Sequence, residues 1–197
     1  MTDSTVKTID GDLLYADVDM IIQQCNCLTK TAHGLSQSIK DVLNVDPYGH
    51  RRVIKGRRNC AIKEDQGKPG TTTVYDRSST VKNPRYVACL FAQFSPGKPG
   101  IYHQDKLSSE KLCDDSKQRL EWFQMSLMEL TKVLETIIIK DDPEYENRKE
   151  PFKVAFPYLI GCGLAGGKWE NYKKAIEIWA SNVTHTLPVQ VLLVHKK

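Results

Sequence analysis

Short apolar runs alternate with stretches of helical periodicity along almost the whole chain. Runs rich in apolar, β-branched and aromatic residues predict β-strands, and they cover residues 6–10, 20–25, 71–75, 86–93, 154–156 and 189–194. The run at 86–93 is almost continuously apolar, which is typical of a strand covered on both faces of a sheet.

Three further segments place their apolar residues on one helical face, at intervals of three and four. These faces comprise Leu35, Ile39, Val42 and Leu43; Leu120, Phe123, Leu127, Leu130, Leu134 and Ile137; and Trp169, Tyr172, Ile176, Trp179 and Val183. The alternation of strands and helices predicts an α/β fold, a three-layer α/β/α sandwich with a mixed, largely parallel sheet. We expect one domain over residues 1–197.

Two glycine-bearing loops follow strands of this predicted sheet, one after 20–25 and one after 154–156. In open sheets of this kind, ligands bind beyond the carboxyl ends of the strands. The two loops are therefore expected to face one another across a single cleft. The long predicted loop at 94–114 is a further candidate border of the site.

The loop after 154–156 has the sequence Gly161-Cys162-Gly163-Leu164-Ala165-Gly166-Gly167 and leads into a predicted helix. Glycine lets backbone N–H groups approach an anion, and a helix start adds unpaired donors and a partial positive charge. The order of strand, glycine-rich turn and helix therefore favours phosphate binding. A tight turn without a ligand is the alternative interpretation. The loop is not a P-loop, because no Gly-Lys-Ser/Thr follows.

Composition and charge suit a globular protein with an anionic ligand. The chain has 197 residues, of which 40% are hydrophobic and 26% charged, and a formal net charge of +4. Basic residues are scattered apart from those within 51–58. An RNA-related module that uses this segment is the weakest hypothesis, and an RNA partner is not expected.

Six cysteines form no C-x-x-C pair, and no histidine pair has zinc-ligand spacing. We therefore expect free thiols in a reducing cytoplasmic or nuclear setting, with no metal and no cofactor. No secretory signal is visible at the N-terminus, and no apolar run approaches the ~20 residues needed to span a bilayer. A membrane association is not expected.

Four motifs in a fixed order extend over almost the whole chain. They are Gly11-Asp12-Leu13, the strand from Ile21 to Asn26, the loop from Ala32 to Ser36, and the loop from Gly161 to Gly166. Together they resemble the macrodomain family, whose members bind ADP-ribose. The Cys25-Asn26-Cys27 element is most similar to the branch of the ADP-ribose 1''-phosphate phosphatases.

The resemblance implies a role for each motif. Asp12 would accept a hydrogen bond from the adenine amine, the loop 161–166 would wrap the diphosphate, and Asn26 would contact the distal ribose. The implied ligand-binding residues are Gly11, Asp12, Leu13, Asn26, His33, Gly34, Leu35, Ser36, Gly161, Cys162, Gly163, Leu164, Ala165 and Gly166. From the residues alone, Asp12 could instead cap a turn, as Asp commonly does, and Asn26 could be a turn residue at a strand end.

His33 is the only histidine within a motif, in the loop that should approach the distal ribose. Imidazole can act as a general acid or base near neutral pH, although most lone histidines are structural. The chain also departs from the family pattern. His33 replaces a second glycine, Gln23 lies where the phosphatase-like branch can carry His, and Ala165 lies where one hydrolase branch has a catalytic Asp. The Lys-Asp mechanism of that branch is therefore not supported.

We expect a hydrolase that acts at the distal ribose of an ADP-ribose derivative. It would remove a 1''-phosphate, or release ADP-ribose from a modified target protein. Water would be the attacking group, oriented or deprotonated by the candidate catalytic residues Asn26 and His33. The alternative is a non-catalytic reader that binds ADP-ribose or an ADP-ribosylated protein.

Overall fold

The computed structural model describes residues 5–57, 59–77, 84–99, 113–141 and 149–197. Along the chain, the elements are β1 (Val6–Asp10), β2 (Met20–Asn26), α1 (Leu35–Leu43), β3 (Thr72–Asp76), β4 (Tyr86–Gln93), α2 (Ser116–Thr136), β5 (Phe152–Pro157), α3 (Trp169–Thr186) and β6 (Val189–His195). Short 3-10 turns occur at Leu13–Tyr15 and Lys63–Asp65, and a π-helical turn at Ile137–Asp141 extends α2. Much of the predicted 94–114 loop, residues 100–112, lies outside the described residues.

The sheet has six strands in the order β1-β6-β5-β2-β4-β3. Every neighbouring pair is parallel except β3 and β4, which are antiparallel at one edge. Helices cover both faces of this sheet, so the predicted three-layer α/β/α sandwich with a mixed, largely parallel sheet is confirmed. Within the described residues, no helix is long and apolar enough to cross a membrane.

The core lies between the central strands and the helices, and all eight residues of β4 are buried. Phe156 of β5 is fully buried and presents its ring edge-on to Trp179 of α3, with 5.6 Å between ring centroids. Phe123 of α2 packs on Tyr172 of α3, with 4.8 Å between centroids. Both predicted helical faces of α2 and α3 therefore point into the core.

One residue of the predicted apolar face of α1 is not buried. Val42 in α1 is 43% exposed, whereas Ile39 and Leu43 on the same short helix are buried. The helix has nine residues, and its contact with the sheet is a narrow stripe. Val42 lies beside that stripe, which the spacing alone could not show.

Replacing Phe156 with alanine tests the packing of the central strand. We expect the free energy of unfolding to fall by about 3–5 kcal/mol, because a buried ring is lost and a cavity remains. Chemical denaturation measures this change. Ile178→Ala on α3, where the side chain is 52% exposed, is the control and should shift stability by no more than about 0.5 kcal/mol. Equal losses in both variants would contradict the described core.

Candidate functional site

A cleft of about 440 Å³ opens at the carboxyl ends of β2, β4 and β5. Nine of the predicted site residues line it: Asn26, His33, Gly34, Leu35, Ser36, Gly161, Gly163, Leu164 and Ala165. Five predicted residues do not line it: Gly11, Asp12, Leu13, Cys162 and Gly166. The structure thus brings the two predicted loops to one site and leaves the first motif outside the lining.

The two glycine-bearing loops face each other across this cleft. A Cβ atom placed on Gly34 would lie 3.7 Å from Cδ1 of Leu164, which is an ordinary van der Waals distance. Leu164 is 71% exposed, so its side chain projects from the loop after β5 toward the loop after β2. The expected single cleft between the loops is therefore present.

The loop after β5 is closed by its own backbone hydrogen bonds. The N–H of Gly166 donates to the carbonyl of Gly163 at 3.1 Å, and that of Gly167 donates to the carbonyl of Gly161 at 2.9 Å. The N–H groups of Gly163, Leu164 and Ala165 donate to no acceptor among the described residues. These three residues line the cleft, so their amides are available to an anion there.

The glycines of this loop have different roles. Gly161 has a φ of 74°, and a Cβ atom there would lie 2.5 Å from the ring of Tyr172. Gly167 is equally close to the same ring, at 2.5 Å. Gly163, by contrast, would place a Cβ atom with nothing within 4 Å and has no positive φ. Gly161 and Gly167 are required by packing, whereas Gly163 borders open space.

The loop after β2 offers a second set of donors at the start of α1. Gly34 is the N-cap residue of this helix and provides no side-chain hydrogen bond. The N–H groups of Leu35 and Ser36 therefore remain unpaired within the described residues, and both residues line the cleft. In α2, the N-cap Asp115 accepts a hydrogen bond from the first turn. An uncapped helix start beside a cleft favours an anion at that point.

Asn26 at the end of β2 organises the turn that follows it. Its Oδ1 atom accepts hydrogen bonds from the N–H of Leu28 at 3.0 Å, and from the N–H and Oγ1 of Thr29 at 2.7 and 3.0 Å. The turn-residue interpretation is therefore confirmed. Three donors fix the orientation of this amide, whose Nδ2 group donates to no acceptor among the described residues. Asn26 lies in the wall of the cleft. It can donate to a ligand hydroxyl.

Arg51 holds this same turn from inside the protein. Its side chain is 2% exposed, and its Nη1 atom donates to the carbonyl of Thr29 at 2.8 Å and to that of Asn26 at 3.4 Å. The guanidinium also lies over the ring of Tyr48, 4.9 Å from the centroid. Burial lowers the pKa of Arg51 from its ordinary value. Because arginine stays protonated in proteins, this side chain places a positive charge behind the cleft wall.

His33 lies exposed at the cleft, beside the hydroxyl of Thr31. Its Nε2 atom is 3.4 Å from Oγ1 of Thr31, which donates to Oδ1 of Asn59 at 2.8 Å. No carboxylate is among the residues that line the cleft in the described part of the chain. His33 is thus the ionisable imidazole at the site, and it has no acidic partner there.

Asp12 forms local contacts that differ from the implied adenine contact. Its Oδ1 atom accepts a hydrogen bond from the N–H of Leu14 at 3.1 Å, and its Oδ2 atom pairs with Lys196 at 2.8 Å. The Lys196 ammonium, assisted by the Leu14 amide, lowers the pKa of Asp12. The turn-capping interpretation is confirmed, and the adenine contact stays a prediction.

Neither Cys162 nor Gln23 presents reactive chemistry to the cleft. Burial, with the nearby charge of Glu170, raises the pKa of Cys162 to about 11, so the thiol is protonated at neutral pH. Gln23 is fully buried, where it accepts a hydrogen bond from Oγ of Ser36 at 2.6 Å and donates to Sγ of Cys89. Gln23 therefore positions Ser36 rather than facing a ligand.

Several lining residues were not predicted as site residues. They are Gln24, Thr31, Tyr48, Gln93, Pro96, Gly97, Pro157, Tyr158, Leu159 and Ile160. Tyr158 contacts the rings of Trp169 and His195, at centroid distances of 4.9 and 4.6 Å. Its place between the end of β5 and the glycine-rich loop was a usable signal. Gln24 and Gln93 meet across neighbouring strands at 2.8 Å, and no local pattern marks such a pair.

These features define an α/β protein whose cleft presents backbone donors at the carboxyl edge of a largely parallel sheet. The fold is that of the macrodomains. The macrodomain of Thermus aquaticus DarG is 19% identical, with a TM-score of 0.57, over 98% of this chain and 97% of that chain. The macrodomain of Mycobacterium tuberculosis DarG is 17% identical, with a TM-score of 0.56, over 97% and 96% of the two chains.

A Trypanosoma brucei macrodomain in complex with ADP-ribose has the same fold. It is 10% identical, with a TM-score of 0.56, over 99% of this chain and 66% of that chain. No protein-family model and no curated protein matches the sequence. In the described ranges, no group of three or more His, Cys, Asp or Glu side chains could hold a metal ion.

Alanine substitutions at two glycines test the division of roles in the loop. Gly161→Ala should lower the free energy of unfolding by more than about 1 kcal/mol, because the backbone has a positive φ and the methyl meets Tyr172. Gly163→Ala should leave stability unchanged or raise it by less than about 1 kcal/mol. Denaturant unfolding of both variants is the measurement. A larger loss at Gly163 would show that this glycine is also required for packing.

Proposed function

We propose that this protein binds ADP-ribose or an ADP-ribose derivative in the cleft. The observation that carries the proposal is the pair of opposed loops. The N–H groups of Gly163–Ala165 and of Leu35–Ser36 donate to no acceptor among the described residues. A diphosphate between the loops would satisfy these donors from both sides. The Trypanosoma brucei macrodomain with the same fold was solved with ADP-ribose bound, which supports this choice of ligand.

The remaining cleft walls suit the two ends of such a ligand. Asn26 and His33 lie on the side of β2, where Nδ2 of Asn26 can donate to a hydroxyl of the distal ribose. Tyr158 lies on the side of β6, where its ring contacts two other rings. We therefore propose that the adenosine half would lie on the Tyr158 side and the distal ribose on the Asn26 side.

Calorimetric titration with ADP-ribose and with AMP tests the proposal. ADP-ribose should bind more tightly than AMP, because it adds a second phosphate and the distal ribose to the contacts. Gly163→Val should block ADP-ribose binding in a folded protein, since the side chain would enter the open space next to that residue. Thr73→Val, at an exposed position of β3 outside the cleft lining, is the control for an added surface valine.

Equal affinities for AMP and ADP-ribose would contradict a cleft that spans both loops. Unchanged ADP-ribose affinity in folded Gly163→Val would show that the glycines only form a turn.

For the reaction, we propose hydrolysis at the distal ribose, either of a 1''-phosphate or of the bond to a modified protein. Cys162 is protonated and Ser36 donates its hydroxyl hydrogen to Gln23, so a water molecule is the attacking group. His33 would take the proton from that water, and Asn26 would orient it or the ribose. ADP-ribosylated protein would be the macromolecular partner.

A non-catalytic reader of ADP-ribose is the second candidate function. It is favoured by a specific observation, since no carboxylate lines the cleft within the described residues. An imidazole without an acidic partner is a weaker general base than one held in a dyad. Turnover of ADP-ribose 1''-phosphate and of an ADP-ribosylated protein distinguishes the enzyme from the reader.

His33→Ala tests the catalytic role. Turnover should fall by roughly 10²–10⁴-fold, the usual effect of losing general acid–base catalysis. The affinity for ADP-ribose should change far less, because the amide donors lie elsewhere. Single-turnover kinetics and calorimetry on the same folded variant measure both quantities.

His185→Ala is the matched control, because this histidine is exposed near the end of α3 and does not line the cleft. Near-normal turnover of His33→Ala would remove His33 from the mechanism. Absence of turnover in the unaltered protein with both substrates would favour the reader.

A further inference from the structure

The glycine-rich loop is held from the interior by one buried side chain, Arg119 on α2. Its Nη1 atom donates to the carbonyl of Ala165 at 3.1 Å and to that of Gly97. Its Nη2 atom donates to the carbonyl of Ser95 at 3.2 Å. The Nε and Nη2 atoms also bind the two carboxylate oxygens of Asp114, each at 2.7 Å. All five N–H groups of the guanidinium therefore have an acceptor.

Asp114 extends this network into the loop after β4. Its carboxylate accepts hydrogen bonds from the N–H groups of Phe94 at 3.3 Å and Ser95 at 2.9 Å. The side chains of Arg119 and Asp114 are 1% and 0% exposed. One buried pair thus joins the start of α2, the loop after β4 and the loop after β5, and the last two of these border the cleft.

The contact with Ala165 fixes the orientation of one peptide unit of the glycine-rich loop. The carbonyl of Ala165 is bound by Arg119, and the N–H of Gly166 is bound by the carbonyl of Gly163. In a trans peptide the C=O and N–H point to opposite sides. Hydrogen bonds therefore hold this peptide unit on both of its sides. The preceding amides of the loop are left for the cleft.

We propose that Arg119 is a positioning residue for the diphosphate subsite. It sets the spacing between the loops after β4 and β5 and holds the amides of Gly163–Ala165 in their binding arrangement before a ligand arrives. Such preorganisation strengthens binding because less conformational freedom is lost on association. This inference rests on the proposed function, since the diphosphate is the ligand group it concerns.

The chemistry of the pair supports positioning rather than stability alone. Burying two charges costs a large desolvation free energy, so a buried ion pair is weak evidence for a gain in stability. The arginine fork binds carbonyls of two separate loops in fixed directions, which an apolar pair of similar volume could not do.

Arg119→Lys keeps the charge and removes the planar fork, and Arg77→Lys is the matched control. Arg77 also binds two backbone carbonyls, those of Leu43 and Pro84, but at the opposite edge of the sheet. Calorimetry with ADP-ribose gives the affinity, and NMR hydrogen exchange of the ligand-free protein gives local opening at Cys162, Gly166 and Gly167.

We expect Arg119→Lys to weaken ADP-ribose binding by at least about tenfold and to speed exchange at these three amides. Arg77→Lys should change neither quantity. If Arg119→Lys does not fold, the double variant Asp114→Leu with Arg119→Met is measured instead, since an apolar pair can replace a buried ion pair without loss of stability.

Unchanged affinity and unchanged exchange in a folded variant would overturn the inference and leave Arg119 with a packing role. Faster exchange spread equally over β4 and β5 would overturn it as well, because that is the result of general destabilisation. If the unaltered protein does not bind ADP-ribose, the proposed function fails, and the exchange measurement alone still decides whether Arg119 holds the loop.

Discussion

Parallel pairing of β5 between β6 and β2 is the constraint on which the cleft depends. All six residues of β5 pair in register with β6, and β2 pairs in parallel with both β5 and β4. The carboxyl ends of β2, β4 and β5 therefore lie on the same side of the sheet, and the loops that follow these strands must meet there. The antiparallel strand β3 ends beside the amino end of β4, so its carboxyl end lies away from the cleft.

The site that results uses backbone donors at its surface and places charge behind them. The lining carries no lysine, arginine, aspartate or glutamate within the described residues. Two buried guanidinium groups, Arg51 and Arg119, instead hold the carbonyls of Thr29 and Ala165 and so fix both loops. Amides that the fold already holds in place need less reorganisation around an anion than mobile surface charges do. Recognition of the proposed diphosphate would therefore depend on loop geometry.

The fold and both loops could be predicted from the sequence because they depend on local patterns. Alternating apolar runs locate β5 and α3, and the glycines between them mark the loop. Individual roles depend on long-range contacts, which no local pattern encodes. Asp12 is paired with Lys196, which is 184 positions away, and Arg119 binds Ala165, which is 46 positions away. The glycine motif likewise could not distinguish the roles of two of its residues. Gly161 packs closely against the ring of Tyr172, whereas Gly163 borders open space.

An NMR titration of the backbone amides tests the central claim most directly, because each proposed donor reports on itself. Addition of ADP-ribose should shift the amide signals of Leu35, Ser36, Gly163, Leu164 and Ala165 together with one dissociation constant. The amides of Gly166 and Gly167, already bonded within the loop, should move less. Saturable binding with shifts confined to other parts of the chain, and none at these five amides, would contradict the account.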